Sequence, residues 1–540
     1  MSTRTPEWYH KRSTTFTADE EAQLLRLIEA AAAPPTFTPD DFARLLRRFP
    51  RANGQFAKDQ VVAAYQRFCA EGRLRFDREV LRRLQMKPVR TQSGVATVTV
   101  LTKPFPCPGE CIFCPTDVRM PKSYLHDEPG AARAEAHYFD PYATTASRLR
   151  ALENIGHPTD KVELLILGGT WSYYPLDYQE WFIKRCFDAL NGVEAQSLEE
   201  AQRLNETAAR RNVGLVIETR PDYVDAAEIR RLRRYGVTKV QLGAQSLDDR
   251  ILDLNRRGHT VEQTRQAVTL LRAAGFKLHL HWMPNLLGAT PESDRADYAR
   301  LWNDPGLRPD ELKIYPCSLV HEAELVQWWE RGEYRPYTDA ELIDLLADCM
   351  AATPRYVRIN RVIRDIPAGH VVAGSTLSNL REVVERRLRE TGRASQDIRW
   401  REVKGKKVEM GDLRLKTEDY ETRGGREVFL SFETSDDRLA AFLRLSLPTP
   451  EATASTGLAE LQGAALIREV HVYGPVVRLG DSARGEAQHL GLGARLIREA
   501  EVRARAAGYG RLAVIAAIGT RGYYRKQGFE LGELYMHKAL

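Results

Sequence analysis

The sequence predicts an α/β protein with a partial parallel barrel of six strand–helix units, a small helical region before it and a second α/β unit after it. Three observations predict this arrangement. Short apolar runs alternate with helical periodicity from about residue 95 to residue 320. Residues 17–86 show only helical spacing, and a new series of strand-like runs begins near residue 425. A chain of 540 residues has room for about two to four domains.

Residues 1–90 are predicted to form a basic helical domain. Segments such as TADEEAQLLRLIEAAAA and FAKDQVVAAYQRFCAEG place apolar residues three and four positions apart. The region holds 17 lysine and arginine residues against 11 aspartate and glutamate residues, so it carries the whole net charge of +6. This favours a polyanion such as nucleic acid as a partner; the alternative is an ordinary solvated helical face.

Residues 91–320 are predicted to form the barrel. Its six strands are expected at 95–102, 161–170, 214–222, 239–246, 277–284 and 311–319. Barrels of parallel strands place their chemistry at the carboxyl ends of the strands. The polar residues that fall near those ends are Thr170, Glu218, Arg220, Gln241, Gln245, His279 and His281.

The remaining chain divides into a linker region, 321–424, and a C-terminal domain, 425–540. The linker contains two helical stretches, TDAELIDLLADCMAA and STLSNLREVVERRLRETG. The C-terminal domain reads as a hairpin, a strand, a glycine-rich turn entering a helix, another strand, a short helix and a last strand. LPTPEATASTG, at 447–457, is expected to be a flexible hairpin loop.

The cysteine content and the hydropathy suggest a cytoplasmic protein without a membrane span. No run of about 18 apolar residues occurs, and the first residues lack the apolar core of a signal peptide. Seven cysteines, unevenly spread, do not resemble a disulfide framework. A reducing compartment would leave their thiols available to bind metal.

Three of those cysteines, Cys107, Cys111 and Cys114, lie in FPCPGECIFCP at 105–115. Three thiolates with C-x3-C-x2-C spacing can hold three irons of a 4Fe-4S cluster and leave the fourth iron open to a substrate. A structural zinc site would need a fourth ligand, and the nearest histidine is the distant His126. The spacing therefore favours an iron–sulfur cluster.

A second motif, QHLGLGARL at 488–496, has glycines at the entry to a predicted helix. Such glycines let backbone N–H groups turn toward an anion, and the helix N-terminus adds its dipole. The motif alone is also compatible with a simple helix entry.

The cysteine spacing, placed directly after a first strand, resembles the radical S-adenosylmethionine superfamily. LGGT at 167–170 resembles the turn that contacts the methionine amino group in that superfamily, although a Gly-Gly strand end by itself is only a tight turn. The resemblance implies that the open iron binds S-adenosylmethionine and that reduction yields a 5'-deoxyadenosyl radical. The implied S-adenosylmethionine contacts are Gly168, Gly169, Thr170, Glu218 and Gln241.

The C-terminal unit resembles the GCN5-related acetyltransferases (GNAT), because REVHVYG, the glycine motif and GTRGYYRKQGF follow in that order. The combination of both units resembles the Elongator catalytic subunit family in its stand-alone prokaryotic form. The likeness extends over nearly the whole chain and includes CIFCPTDVRMPKSYL, GHPTDKVELLILGGTWSYYP, IETRPDY and LHLHWMPNLLGATPESD.

That resemblance implies a tRNA carboxymethyluridine synthase that modifies C5 of wobble uridine 34. A radical from S-adenosylmethionine would take hydrogen from the methyl group of acetyl-CoA, the product radical would add to uridine, and hydrolysis would release CoA. The implied partners are the anticodon loop of tRNA, whose bases are unpaired, and an electron donor. The basic N-terminal domain would grip tRNA phosphates, and the sequence is compatible with a homodimer.

The same resemblance assigns residues to the acetyl-CoA site. They are Lys161, Glu469, Val470, His471, Val472, Ala487, Gln488, His489, Gly491, Gly493 and Tyr524. Lys161, Tyr523 and Tyr524 are the catalytic candidates, with Tyr524 at the thioester end. Without the resemblance, Lys161 reads as an exposed lysine before a strand, and helix packing accounts for one of the two tyrosines.

One departure concerns zinc. Many relatives carry a cysteine-rich stretch in the linker, where this chain has Ser395, Asp397 and Trp400, so no structural zinc is expected. Two other functions stay open at this point. One is a lysine acetyltransferase with a structural iron–sulfur domain, and the other is a tRNA-binding scaffold with both sites silent.

Overall fold

The N-terminal residues fold into four helices around a core of their own, in a computed structural model that describes residues 15–51, 54–86, 94–404, 408–473 and 491–540. The helices are α1 Ala18–Ala32, α2 Pro39–Arg48, α3 Lys58–Ala70 and α4 Arg78–Leu84. The side chains of Thr17 and Thr38 cap the first two by accepting hydrogen bonds from backbone N–H groups three residues on. The predicted helical region is confirmed.

The middle of the chain forms a seven-stranded parallel sheet with the order β1-β2-β3-β4-β5-β6-β8. Its strands are β1 Ala96–Leu101, β2 Lys161–Leu167, β3 Arg211–Thr219, β4 Lys239–Gln245, β5 Lys277–Trp282, β6 Glu311–Ile314 and β8 Arg358–Arg361; β7 Leu319–Val320 and β9 Val371–Ala373 pair separately. All six predicted strands are present. The seventh, β8, comes from the stretch assigned to the linker.

Helices lie between these strands and after the last of them. They are α5 Pro129–Ala136, α6 Pro141–Asn154, α7 Leu176–Asn191, α8 Leu198–Asn205, α9 Ala226–Arg234, α10 Asp249–Leu254, α11 Val261–Ala273, α12 Pro291–Asn303, α13 Val326–Glu330, α14 Asp339–Ala351, α15 Leu380–Glu390 and α16 Ile398–Arg401. Along β2, Val162, Leu164 and Ile166 are buried on the helix-covered side. Their neighbours, such as Glu163, point to the concave side, so polar residues line the inside of the sheet.

The C-terminal sheet has the order β10-β11-β12-β13-β14-β16-β15. Its strands are β10 Arg414–Thr422, β11 Gly425–Glu433, β12 Leu439–Pro448, β13 Ala464–Val472, β14 Arg511–Val514, β15 Glu530–Leu531 and β16 Met536–Ala539, and its helices are α17 Pro450–Ser455, α18 Leu492–Ala506 and α19 Arg521–Lys526. Among the described strands of this C-terminal sheet, β13 and β14 pair in parallel and the other neighbours pair antiparallel. The mixed sheet is consistent with the predicted GNAT-type domain.

The expectation of a flexible loop at 447–457 is wrong. Residues Pro450–Ser455 form α17, because Thr449 accepts a hydrogen bond from the Ala452 N–H and Pro450 occupies the first helical position. Thr453 and Thr456 are buried, so this segment packs against the domain.

The two sheets share one continuous hydrophobic core. Polar contacts also cross between them: the Tyr535 hydroxyl donates to the Ala274 carbonyl at 2.6 Å, and Arg468 pairs with Asp310. In the part of the chain that the structure describes, no helix has the length and apolarity needed to cross a membrane.

Candidate functional site

The cysteine loop lies at the carboxyl end of β1, where the sequence placed it. Cys107 Sγ is 3.7 Å from Thr170 Oγ1, beyond the end of β2. Cys111 is buried, and its Sγ accepts a hydrogen bond from Arg257 Nη1 at 3.4 Å. Desolvation raises the pKa of Cys114 to about 12, and the nearby Cys111 and Cys107 thiols add to the rise. The loop therefore brings all three predicted ligands into electrostatic contact.

Two glycines at the end of β2 let this loop approach. Gly168 has φ of +129°, and a Cβ there would stand 2.0 Å from Thr102 Oγ1. Gly169 has φ of +70°, a left-handed conformation that glycine adopts without strain. Thr170 follows them and faces Cys107, so the predicted glycine-rich turn lies beside the predicted cluster loop.

Two buried arginines lie against the cysteine loop. Arg220 is held by Asp222 through two hydrogen bonds of 2.9 and 3.0 Å. A Cβ on Gly109 would stand 2.3 Å from Arg220 Nη1, so a side chain at this position would displace the guanidinium group. Arg257 is fixed by the Gly243 carbonyl at 2.7 Å while it contacts Cys111. Two guanidinium groups therefore lie against the loop that carries Cys107 and Cys111.

A cavity of about 500 Å³, here called the upper cavity, opens beside the cysteine loop. Its wall includes Thr99, Cys114, Glu218, His281, Lys313 and Tyr315. Burial raises the pKa of Glu218 and lowers that of Lys313 to about 8. Gln241 Oε1 bridges His281 Nε2, at 2.8 Å, and the Lys313 ammonium group. In the upper cavity, burial thus shifts both Glu218 and Lys313 toward their neutral forms.

The donor set of the loop fits an iron–sulfur cluster better than a single ion. Within the described residues, no three His, Cys, Asp or Glu side chains are placed to hold one metal ion. A 4Fe-4S cube has a different requirement, because each thiolate binds a different iron. Cys107, Cys111 and Cys114 lie in one loop beside two buried arginines, and this donor set suits such a cluster.

A second cavity, of about 770 Å³ and here called the lower cavity, lies between the amino ends of the parallel strands and the C-terminal sheet. Its wall includes Lys239, Lys277, Glu311, Glu469, His471 and Tyr524. Glu311 receives Lys239 and Lys277 at 3.2 Å each. Although burial alone would raise it, these ammonium groups hold the pKa of Glu311 well below its usual value.

Residues of β13 form one side of the lower cavity. Glu469 pairs with Arg444 at 2.9 Å and with Lys277. Burial lowers the pKa of His471 to about 4, so its imidazole is neutral near pH 7. Val470 also lines this cavity, whereas Val472 packs toward Gly493 on α18. Four predicted acetyl-CoA residues thus lie together on one strand, and three of them face the cavity.

The structure separates the two tyrosines of α19. Tyr524 lines the lower cavity, and burial raises its pKa, so its hydroxyl stays protonated. Tyr523 is 40% exposed, and its hydroxyl oxygen lies 2.8 Å from the position that a Cβ on Gly493 would occupy. Gly491 has φ of +66° and precedes α18. Ala487, Gln488 and His489 lie outside the described residues.

Lys161, the predicted link between the sites, is the first residue of β2. Burial lowers its pKa, and it lies two residues before Glu163, which lines the lower cavity. Lys161 itself lines neither the upper nor the lower cavity. Its role stays a prediction.

The linker stretch around Ser395 and Asp397, where no structural zinc was expected, is held by hydrogen bonds. The Ser395 hydroxyl donates to Asp397 Oδ1 at 2.9 Å, and Asp397 Oδ2 accepts from the Ile359 N–H at 3.2 Å. Both side chains are fully buried, and the contact ties the segment to β8. Arg389 packs over the Trp400 ring, with 5.2 Å between guanidinium carbon and ring centroid.

Comparisons with known proteins agree with this geometry. The model of the Radical SAM superfamily matches residues 106–299, and that of the Radical SAM C-terminal domain matches 309–390. A relative from Dehalococcoides mccartyi (strain CBDB1), named tRNA uridine(34) acetyltransferase, is 46% identical over 457 residues, which cover 84% of this chain and 99% of the relative. Human Elongator complex protein 3 is 37% identical and is covered over 86% of its length, against 85% of this chain. The chain belongs to the Elongator Elp3 family.

A solved structure of the archaeal Elp3 from Methanocaldococcus infernus, with an N-terminal deletion, has the same fold. It is 39% identical, has a TM-score of 0.73, and is covered completely by 83% of this chain. The Elp3 fold therefore accounts for the half-barrel and the C-terminal sheet together.

Several residues of the site were missed by sequence reasoning. Arg257, Lys277 and Lys313 had no motif of their own, because each comes from a different strand or turn and becomes a neighbour only in the folded sheet. A usable signal was present: lysine and glutamate at alternate positions of otherwise apolar strands indicate a polar concave face.

Proposed function

We propose that this chain is a tRNA carboxymethyluridine synthase that uses S-adenosylmethionine and acetyl-CoA to modify C5 of wobble uridine 34. The observation that carries the proposal is the pairing of two cavities. The upper cavity adjoins the cysteine loop, the lower cavity contains the C-terminal residues Glu469, His471 and Tyr524, and Thr97 lines both.

The relatives support the substrate. The Dehalococcoides relative is named for uridine 34 of tRNA, and this chain spans 99% of it. That relative is named an acetyltransferase, whereas the carboxymethyl product is our proposal. Both the activity in the relative's name and the proposed activity use an acetyl donor and act on uridine 34.

The cysteine loop supplies the ligands for the hard chemical step. A cluster held by Cys107, Cys111 and Cys114, with S-adenosylmethionine bound, would supply the one-electron chemistry that breaks a methyl C–H bond. Arg257 and Arg220 stabilise the thiolate charge, and Thr170 borders Cys107.

The upper cavity suits an unpaired base. Its volume of about 500 Å³ lies in the range of small-ligand sites. Lys313 and His281 line this cavity and are linked to each other through Gln241, so they can offer polar groups to the edge of a uracil ring. Anticodon-loop bases can leave their stack at modest cost, which suits a site of this depth.

The lower cavity suits the thioester. The protonated Tyr524 hydroxyl can donate to a carbonyl oxygen, and the neutral His471 imidazole can accept a hydrogen bond from a water molecule. Lys277 and Arg444 hold Glu469 ionised beside them. These groups would assist hydrolysis and the release of CoA.

The proposal also implies partners. The basic N-terminal helices would contact tRNA phosphates, and an electron donor must reduce the cluster. The cysteines in the described residues are all free, as a reducing cytoplasm would require.

The test is nucleoside analysis of tRNA incubated with the anaerobically reconstituted protein, S-adenosylmethionine, a reductant and acetyl-CoA. The expected product is 5-carboxymethyluridine at position 34, and it should vanish with Cys111→Ser. The same incubation can be run with acetyl-CoA that carries a label in its acetyl group. If the label appears on protein lysines and not on tRNA, the chain is a lysine acetyltransferase instead. If neither carries label, it is a binding scaffold.

A further inference from the structure

The turn that follows α10 lies directly against the cysteine loop. The Ile112 N–H of the loop donates to the Asn255 carbonyl at 3.3 Å, so backbone atoms join the two segments. Two arginines come next, and their surroundings differ. The Arg256 side chain is 49% exposed and pairs with Glu324 at 2.9 Å, whereas Arg257 is buried. The turn therefore offers one outward and one inward cation at neighbouring positions.

The two ends of the Arg257 guanidinium contact different parts of the molecule. Its Nη2 donates to the carbonyl of Gly243, on β4, at 2.7 Å, and its Nη1 donates to Cys111 Sγ at 3.4 Å. A Cβ on Gly243 would stand 2.6 Å from Nη2, so the guanidinium fills the space beside this glycine. Arg257 is thus held between the parallel sheet and one of the three candidate cluster ligands.

The positive charge of Arg257 is buried without a carboxylate partner. Within the part of the chain that the structure describes, no aspartate or glutamate pairs with it, whereas Arg220 has Asp222. Burial lowers the pKa of the nearby His259 to about 2, and the charge of Arg257 adds to that effect. An isolated buried charge is costly, so the surroundings of Arg257 favour an anion.

An iron–sulfur cluster on the cysteine loop would be that anion. Its three ligands bind as thiolates, and reduction adds one electron, so the reduced form is more negative than the oxidised form. A fixed cation beside a ligand sulfur stabilises the more negative form by the larger amount. Hydrogen bonds to the sulfurs and the local charge are among the factors that set the reduction potential of such clusters.

We propose that Arg257 is a positioning residue that acts through Cys111 and raises the reduction potential of a 4Fe-4S cluster in this loop. This inference rests on the proposed function, since it takes the cysteine loop to bind such a cluster. With Arg257 in place, a weaker reductant can supply the electron. Arg220 contributes less, because Asp222 already neutralises its charge.

A redox titration of the cluster measures the effect of Arg257 directly. The full chain is reconstituted anaerobically, and the reduced cluster is followed by electron paramagnetic resonance at a series of fixed potentials. S-adenosylmethionine is left out, so that a lost contact with it cannot cause a shift. Arg257→Met removes the charge and the donor but keeps an unbranched side chain. The matched control, Arg256→Met, removes the exposed arginine beside it, and iron and sulfide contents show that all variants are equally loaded.

The expected result is a lower midpoint potential in Arg257→Met. At the midpoint potential of the wild type, its ratio of reduced to oxidised cluster should fall about tenfold, which is about 59 mV for a one-electron couple. Arg256→Met should change that ratio by less than about twofold, because water and salt screen an exposed charge. A general loosening of the site would act in the opposite direction, since water entering the loop favours the more highly charged reduced form. A midpoint that is unchanged or raised in a fully loaded Arg257→Met variant would overturn the proposal.

Two conservative variants keep the test decisive if Arg257→Met does not bind its cluster. Arg257→Gln is neutral and retains an N–H group for a hydrogen bond, and its midpoint should also fall. Arg257→Lys keeps the charge, so its midpoint should lie closer to that of the wild type. Equal shifts in Arg257→Gln and Arg257→Lys, or no shift in Arg257→Gln, would contradict a role for the charge.

The wild type separates this inference from the proposed function. If it assembles a cluster and carboxymethylates tRNA while no Arg257 variant lowers the midpoint, the inference is wrong and the proposed function stands. If the wild type binds no iron–sulfur cluster, the proposed function fails, and the inference about Arg257 fails with it.

Discussion

Replacing Asp310 with alanine tests how the two sheets are held together. Asp310 is fully buried just before β6, and its carboxylate accepts hydrogen bonds of 2.7 and 2.6 Å from the Arg468 guanidinium on β13. Arg444 lies 3.4 Å from the same carboxylate. The alanine variant would leave two buried guanidinium groups without their shared counter-charge.

The expected cost is large for one residue. Removing one partner of a buried ion pair costs about 3–5 kcal/mol, because the remaining charge stays desolvated. Glu427 still pairs with Arg468 at 2.7 Å, which places the expected loss at the lower end. The control is Asp419→Ala, whose carboxylate is 41% exposed and 3.7 Å from Arg426, and which should cost about 0–1 kcal/mol.

Urea unfolding at pH 7.5, followed by far-ultraviolet circular dichroism, measures both variants. Equal losses of under 1 kcal/mol would refute the importance of the buried pair. Although burial alone would raise it, Arg468 and Arg444 hold the pKa of Asp310 well below its usual value. Its stabilisation is therefore present above pH about 4 and is lost as the pH falls toward the folded-state value. The difference between wild type and Asp310→Asn should shrink over that range.

Three further predictions concern the cavities. Burial lowers the pKa of Lys313 to about 8, so the unfolded chain binds more protons than the folded chain between pH about 8 and 10.4. The urea unfolding midpoint of the wild type should therefore rise with pH in that window relative to the midpoint of Lys313→Met. Parallel plots of midpoint against pH for the two proteins would contradict this. Cys111→Ser should lose cluster absorbance and 5'-deoxyadenosine formation yet bind acetyl-CoA normally by calorimetry, whereas Cys349→Ser, remote from both cavities, should retain all three. Tyr524→Phe should slow acetyl-CoA hydrolysis by about 10²–10³-fold, as loss of a carbonyl donor does; Tyr523→Phe should have little effect, and equal effects would contradict the separation of the two rings.

The alternation of strands and helices was sufficient to predict the half-barrel, because short apolar runs and helical periodicity can both be read from the local sequence. The strand β8 was missed because RINR is short and polar, and its pairing with β6 involves residues about 47 positions away. The strand β10 was missed for a different reason: RLKTEDYET is an exposed edge strand, and its charges resemble a linker. The helix α17 had a Thr-Pro start that could have been recognised.

Some residues of the candidate site could likewise be predicted from the sequence, and others could not. Cys107, Cys111 and Cys114 could be found because their spacing is local and their chemistry is specific. The polar lining of the cavities could not, because Lys239, Lys277 and Glu311 become neighbours only through strand register. Register depends on the hydrophobic pattern of both strands and on the connection between them, so one strand's sequence does not show which residues of the next strand it faces.

The central claim is that both cavities act on one acetyl group. Its most direct measurement uses acetyl-CoA with three deuterium atoms on the methyl carbon, unlabelled tRNA and the anaerobically reconstituted protein. Mass spectrometry should find one deuterium in 5'-deoxyadenosine and two in the carboxymethyl group of uridine 34. Carboxymethyluridine formed while 5'-deoxyadenosine stays free of deuterium would contradict the account.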